Sequence, residues 1–125
     1  MVLNFEQSPE FAKDIKVLTK RWRSIPNDLQ NAKRAITPLY VPIPDVDIKE
    51  LRDSFFATKR AAIVVSGEDF EVVKMRFDCT ALGNDKKTRL VFVAFVKSNT
   101  VTFVEMYAKN DKEREDPKRY KKYLN

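Results

Sequence analysis

The stretch RLVFVAFVKSNTVTFVEMY, residues 89–107, decides the fold of this chain. After its first arginine, Arg89, the run over residues 90–96 is apolar at every position, so residues 89–96 predict a central strand. Ser98-Asn99 predicts a two-residue hairpin turn, because asparagine tolerates a positive φ angle. Residues 100–107 predict the returning strand, so we expect an antiparallel hairpin at the centre of a sheet.

A third strand precedes this hairpin, at residues 71–78. Val73, Met75 and Phe77 alternate there with Lys74 and Arg76, a period of two that is typical of a strand with one buried face and one basic face. The short apolar run at residues 61–65 predicts an edge strand or an extended piece.

Two helices are predicted before the strands. Ser8-Pro9 is a helix start, because serine caps backbone donors and proline suits the first helical position. Two apolar stripes with helical spacing follow, separated by the break at residues 24–26, and Thr37-Pro38 is expected to end the second helix. The stripes are Phe11, Ile15, Leu18 and Trp22, then Ile25, Leu29, Ala32 and Ile36.

The remaining segments are more polar. Residues 38–69 are acidic and proline-bearing, and we interpret them as an insertion in which residues 39–45 are extended and residues 47–56 form a short helix. Asn110 and Glu113 have capping-box spacing and predict a short C-terminal helix. The predicted fold is α+β in one domain, 1–125: an antiparallel sheet with an N-terminal αα-hairpin on one face and the other face uncovered.

Composition excludes several kinds of site. The chain has no histidine and one cysteine, so a Ser-His-Asp triad, a Cys-His pair and a histidine-ligated metal site are excluded. No stretch is long and apolar enough to span a bilayer, and no secretion signal is visible, so we expect a cytoplasmic protein without membrane partners. We also expect no metal and no cofactor. The net charge is +6, and residues 84–125 carry eleven basic against six acidic side chains, which favours a polyanionic partner.

Basic side chains and a phenol are expected to converge on the sheet. Lys74 and Arg76 share one strand face, Arg89 begins the next strand, and Tyr107 and Lys109 end the one after. These groups suit metal-free RNA cleavage: arginines would stabilise the charge of the transition state, a lysine would act as base, and a tyrosine would stack on a base or donate a proton. The same residues also fit an ordinary solvated strand face, so both readings stay open.

Several short strings, in this order, resemble the RelE/ParE superfamily of bacterial type II toxins. They are SPEF at 8–11, KDI at 13–15, VKMRF at 73–77, RLVFV at 89–93 and FVEMYAK at 103–109. The resemblance implies a compact antiparallel sheet with a helical hairpin on one face. It also implies an mRNA interferase that cleaves mRNA in the ribosomal A site without metal and is neutralised by a cognate antitoxin.

The resemblance also implies roles for individual residues. Lys74 and Arg76 match a catalytic lysine pair, although a guanidinium cannot serve as a base, and Arg89 matches the arginine that binds the scissile phosphate. Tyr107 matches a tyrosine that stacks on or positions the substrate. Asn110 stands where relatives carry an arginine just beyond this strand, so that role is vacant or passes to Lys109 or Lys112. Additional RNA contacts are expected from Lys86, Lys87, Lys112 and Arg114.

Two further functions remain open at this stage. One is a non-catalytic RNA-binding or regulatory relative, and the other is a ParE-like inhibitor of DNA gyrase, which would not need the catalytic cluster. Monomer and dimer are both compatible with the sequence. Residues 38–69 have three candidate roles: a dimer contact, an antitoxin-docking surface, or a shield over the basic face.

Overall fold

The predicted hairpin forms the middle of a five-stranded sheet. The computed structural model describes residues 2–57, 59–82 and 88–124. In chain order its elements are β1 (Asn4–Gln7), α1 (Pro9–Arg21), α2 (Ile25–Tyr40), α3 (Ile48–Ala57), β2 (Ala61–Ser66), β3 (Phe70–Arg76), a 3-10 turn (Thr80–Leu82), β4 (Thr88–Phe95), β5 (Thr100–Ala108) and α4 (Pro117–Lys121). The strands lie in the order β1-β5-β4-β3-β2.

Strand pairing is antiparallel except at one edge. β2, β3, β4 and β5 pair antiparallel in sequence order, and β1 pairs parallel with β5. Asn99 has a φ of 49° in the turn between β4 and β5, as its sequence position predicted. The α+β class and the mostly antiparallel sheet are therefore confirmed, and β2 is the edge strand that its short apolar run suggested.

The αα-hairpin covers one face of the sheet, which we call the helical face. Ser8 Oγ accepts a hydrogen bond from Phe11 N at 3.0 Å, so the predicted cap of α1 forms. Phe11 stacks on Phe103 with ring centroids 5.3 Å apart, and Phe92 meets Phe103 edge-on at 6.3 Å. All three rings are essentially inaccessible, and each such burial stabilises the fold by about 2–3 kcal/mol.

The second helix runs further than predicted. Pro38 lies inside α2, which ends at Tyr40 rather than at Thr37. Proline in the final turn removes only one backbone bond, and Thr37 Oγ1 adds another by donating to Lys33 O at 2.8 Å. The extra turn brings Tyr40 edge-on to Phe92, with ring centroids 6.4 Å apart. This packing compensates for the backbone hydrogen bond that Pro38 cannot donate.

Residues 38–69 contain the last turn of α2, then α3 and β2. The predicted helix at 47–56 is present as α3, and Asp47 Oδ1 accepts hydrogen bonds from the amides of Lys49 and Glu50 at its start. Arg52 fastens α3 to the sheet, because its Nη2 lies 2.8 Å from Glu71 Oε1 on β3. This segment therefore contributes a strand to the sheet and a helix against it.

The chain after β5 differs from the prediction in two ways. No helix begins at Asn110, because residues 109–111 form a turn; α4 begins at Pro117, where Asp116 Oδ1 caps the amide of Lys118 at 3.0 Å. The second sheet face is also not uncovered. Tyr120, with Tyr123 and Leu124, packs against the valines of that face. We call residues 115–124 the C-terminal segment.

Among the described residues, no helix has the length and apolar character needed to cross a membrane.

Candidate functional site

Three strands bring Arg76, Arg89 and Tyr107 into one line across the sheet. Arg76 pairs with Arg89 between β3 and β4, and Arg89 pairs with Tyr107 between β4 and β5. Directly opposite residues in such ladders have Cβ atoms about 5 Å apart on the same face. We call these three residues the cross-strand row and the face that carries them the site face. Lys74, two residues before Arg76, projects from the site face as well.

A β-bulge puts Tyr107 on this face. The register of β5 against β4 shifts between Val91 and Phe92, so that Val104 is the extra residue in β5. Phe103 therefore faces the helices, whereas Glu105 and Tyr107 face the other way. Strict alternation would have placed Phe103 and Tyr107 on the same face. Bulges are frequent next to functional sites because they redirect a side chain in this manner.

Arg76 and Arg89 hold two positive charges side by side. Burial lowers the pKa of Arg89, and the neighbouring guanidinium of Arg76 lowers it further. Arg89 Nη1 also donates to the Thr88 carbonyl at 3.2 Å. Arg76 Nε is buried and has no hydrogen-bond partner within the described part of the chain. An anion bound between the two guanidinium groups would relieve their repulsion and accept a hydrogen bond from Arg76 Nε.

Two glutamates, which the sequence analysis did not identify, lie among these cations. Lys74 Nζ donates to Glu115 Oε1 at 2.9 Å, and the Glu115 side chain is only 13% exposed. Although burial alone would raise it, the hydrogen bond from Lys74 holds the pKa of Glu115 below its ordinary value. Glu105 is 1% exposed; it forms an ion pair with Lys112 and accepts the amide of Asp116 at 2.8 Å. A charged residue inside the apolar string FVEMY was the signal for Glu105.

Tyr107 is the most enclosed member of the row. It is 4% exposed, and its hydroxyl is buried without a hydrogen-bond partner among the described residues. Burial, together with the negative charges of Glu115 and Glu105, raises the pKa of Tyr107 to about 12. The phenol is therefore neutral at physiological pH. Its O–H remains a donor for any group that reaches it.

The C-terminal segment is fastened over this region by ion pairs to α1. Arg119 donates to Asp14 through both Nη atoms, at 2.8 and 3.1 Å, and to the Val104 carbonyl at 3.0 Å. Lys122 pairs with Glu10. Together with the bonds from the segment to Lys74 and Glu105, these contacts hold carboxylates against the cations of the site face. An incoming anion would have to compete with those carboxylates.

The remaining predicted residues lie at the margin of the site. Lys109 is exposed in the turn after β5, outside the cross-strand row. Lys112 Nζ lies 5.3 Å from the Tyr107 ring centroid, and Arg114 is exposed in the connection that follows. Lys86 and Lys87 lie outside the described residues. Within those residues, no three side chains of the histidine, cysteine, aspartate or glutamate type cluster as metal ligands would.

Comparison with known proteins bears on the fold. No family model matches the chain, and no curated protein matches it in sequence. Among solved structures, the archaeal RelE-RelB complex from Pyrococcus horikoshii OT3 contains a similar chain, with a TM-score of 0.55 and 12% identity. The alignment covers 87% of this chain and 97% of that one. The protein therefore has a RelE-like fold.

Proposed function

We propose that this protein is the toxin of a type II toxin-antitoxin system and cleaves mRNA without metal in the ribosomal A site. The observation that carries the proposal is the cross-strand row with Lys74 beside it. Adjacent guanidinium groups on a rigid sheet suit a phosphodiester, which carries a delocalised negative charge. The similarity of the fold to a chain of the RelE-RelB complex supports the same class and favours an antitoxin as protein partner.

The reaction we propose is an internal transfer of the phosphate. The 2′-oxygen bonds to the adjacent phosphorus while the bond from phosphorus to the 5′-oxygen breaks. One proton leaves the 2′-hydroxyl, and one is delivered to the departing 5′-oxygen. Arg76 and Arg89 would stabilise the charge that accumulates on the phosphorane-like transition state. Lys74, on the same strand face as Arg76, and Tyr107, directly opposite Arg89, are the groups we propose for the two proton transfers.

Access to the site is part of the proposal. Glu115 is the ion-pair partner of the Lys74 ammonium, and Tyr107 is buried in the same apolar cluster as Tyr120 of the C-terminal segment. RNA binding would therefore require the phosphate to replace Glu115 as the partner of Lys74. Lys109 and Arg114, which are exposed beside this region, and Lys86, Lys87 and Lys112 are proposed as further RNA contacts.

The test is induced expression of wild type, Arg89→Ala and Lys74→Ala. Wild type should arrest growth, and primer extension should show cuts within translated codons. Arg89→Ala should abolish both effects, since it removes a charge from the row. Arg34→Ala is the matched control, because Arg34 is exposed on α2 and its loss changes the net charge equally. If both site variants stayed as toxic as wild type, the assigned site would be wrong.

The Lys74–Glu115 pair favours one alternative, a non-catalytic RNA-binding or regulatory protein. A lysine that stays paired with a carboxylate contributes less to proton transfer. This alternative predicts harmless overexpression together with RNA binding that weakens steeply with salt. Growth arrest with mRNA cleavage would exclude it.

A further inference from the structure

The sheet ends on one side in an apolar strand whose outer edge is open. β2 is the last strand in the sheet order, and within the described residues no strand pairs with its outer side. Arg76 N donates to Arg60 O at 2.7 Å, and hydrogen bonding in antiparallel ladders alternates, so the backbone groups of Ala61 and Ile63 point away from β3. Ile63 is 43% exposed. Open edges of this kind are templates for another strand.

Helix α3 does not cover this edge. Its Arg52 reaches Glu71 on the helical face, and its Phe55 and Phe56 pack against the core between sheet and helices. The helix therefore lies on top of the sheet rather than along its side. The edge itself remains accessible.

The charges that flank β2 have opposite signs at its two ends. Lys59 and Arg60 precede the strand, and Glu68 and Asp69 follow it. Arg60 pairs with Asp78 and Asp69 pairs with Lys97, while Lys59 and Glu68 are both exposed. A strand that is basic at its start and acidic at its end is complementary to an antiparallel copy of itself. Parallel pairing would instead set like charges side by side.

We propose that β2 pairs antiparallel with β2 of a second copy of this chain, joining two sheets about a two-fold axis. Each copy then places its Lys59 end against the Glu68 end of the other, so the contact is closed and self-complementary. In the register that sets Lys59 opposite Glu68, Ala61–Ile63 of one copy faces Val64–Ser66 of the other, so the bulge at Val64 interrupts the pairing in both halves. A contact this short is smaller than a standard stable interface, which predicts a weak dimer.

The proposed dimer is independent of the proposed RNA cleavage. A two-fold axis perpendicular to the joined sheet leaves both site faces on the same side. With strands about 4.8 Å apart, the two β4 strands would be roughly 24 Å from each other, because five strand spacings separate them. The dimer would thus present two copies of the cross-strand row to one side.

Sedimentation velocity from about 5 to about 500 µM tests the pairing across the expected weak-affinity range. Wild type should show a concentration-dependent monomer–dimer equilibrium. Lys59→Glu and Glu68→Lys should each weaken it at least about ten-fold, because each sets like charges opposite one another. The double variant should restore it, since both pairs are then reversed. Lys16→Glu, exposed on α1, is the control for a charge reversal elsewhere.

A second variant tests the backbone pairing directly. Ile63→Pro removes an amide that faces outward, and edge strands tolerate proline at such positions, so the fold should persist while the dimer is lost. Far-UV circular dichroism confirms that each variant is folded. A monomeric wild type at the highest concentration would overturn the proposal. So would a dimer that the single charge reversals leave unchanged.

Discussion

The attachment of α3 to the sheet offers a quantitative test of the structure. Arg52 Nη2 lies 2.8 and 3.0 Å from the two carboxylate oxygens of Glu71, and the Tyr40 hydroxyl donates to Glu71 at 2.6 Å. On the same helix, Lys49 pairs with Asp53 at 2.8 Å. The two ion pairs have similar lengths but different surroundings. Arg52→Ala and Lys49→Ala therefore form a matched pair of perturbations.

The expected magnitudes follow from exposure. The side chains of Arg52 and Glu71 are 26% and 12% exposed, whereas those of Lys49 and Asp53 are 83% and 66% exposed. Losing hydrogen bonds to a mostly buried charge costs about 1.5–3 kcal/mol. The Arg52 guanidinium also lies about 5 Å from the Tyr40 and Phe56 rings, which adds about 0.5–1 kcal/mol. We expect Arg52→Ala to lower the free energy of unfolding by about 3 kcal/mol and Lys49→Ala to lower it by about 0–0.5 kcal/mol.

Equilibrium unfolding in urea, followed by far-UV circular dichroism, measures the difference. With a slope of about 2 kcal/mol/M, Arg52→Ala should lower the midpoint by about 1.5 M and Lys49→Ala by less than about 0.3 M. Intrinsic helix propensity cannot account for the contrast, because arginine and lysine differ little from one another relative to alanine. A double-mutant cycle of Arg52→Ala with Glu71→Gln should give a coupling energy above about 1 kcal/mol. Equal midpoint shifts for the two single variants would refute the reasoning.

Three further variants test the site face and the C-terminal segment beside it. Glu115→Gln should raise RNA affinity roughly five-fold in filter binding, because it weakens an ion pair worth about 1 kcal/mol that holds Lys74; a lower affinity would contradict the proposed competition. The pKa of Glu115 is lower in the folded state than its ordinary value of 4.5, so ionised Glu115 stabilises the fold at pH values above 4.5. This stabilisation is lost as the pH falls further and the folded carboxyl becomes protonated. The difference in melting temperature between wild type and Glu115→Gln should therefore vanish in acid. Tyr107→Phe should leave the melting temperature unchanged or raise it, because the hydroxyl has no partner among the described residues; a fall equivalent to more than about 1 kcal/mol would reveal one. Asp116→Ala removes the cap on Lys118 N and should cost about 1 kcal/mol in thermal unfolding, and no change would show that α4 does not depend on its cap.

Most of the fold could be predicted from local patterns. The apolar run of β4, the asparagine at the hairpin turn and the stripes of α1 and α2 each carry their own periodicity, and neighbouring elements pack together. The end of α2 could not be predicted in this way. Pro38 is a strong local signal for termination, but the contact of Tyr40 with Phe92 is distant in sequence and outweighs it. Tertiary packing decided that boundary.

The arrangement of the candidate site could be predicted in part. Lys74, Arg76, Arg89 and Tyr107 share one face, as the sequence suggested, but for Tyr107 this depends on a bulge that no local pattern indicates. The C-terminal helix illustrates the same limit. Both the capping box at Asn110 and the pair Asp116-Pro117 are local signals for the start of a helix, and α4 begins at Pro117. Glu105 on β5 accepts a hydrogen bond from the amide of Asp116, and this contact forms only in the folded chain.

The buried glutamates alter the chemistry that the cations alone would suggest. A cluster of lysine and arginines without carboxylates would bind RNA at any time and without regulation. Here Glu115 is bound to Lys74, and Glu105 holds the start of the C-terminal segment through the amide of Asp116. A phosphate and Glu115 cannot both pair closely with the same ammonium without repulsion between the two negative charges. Under the proposed function, RNA binding and the covered position of the C-terminal segment are therefore coupled: whatever strengthens the one weakens the other by the same factor.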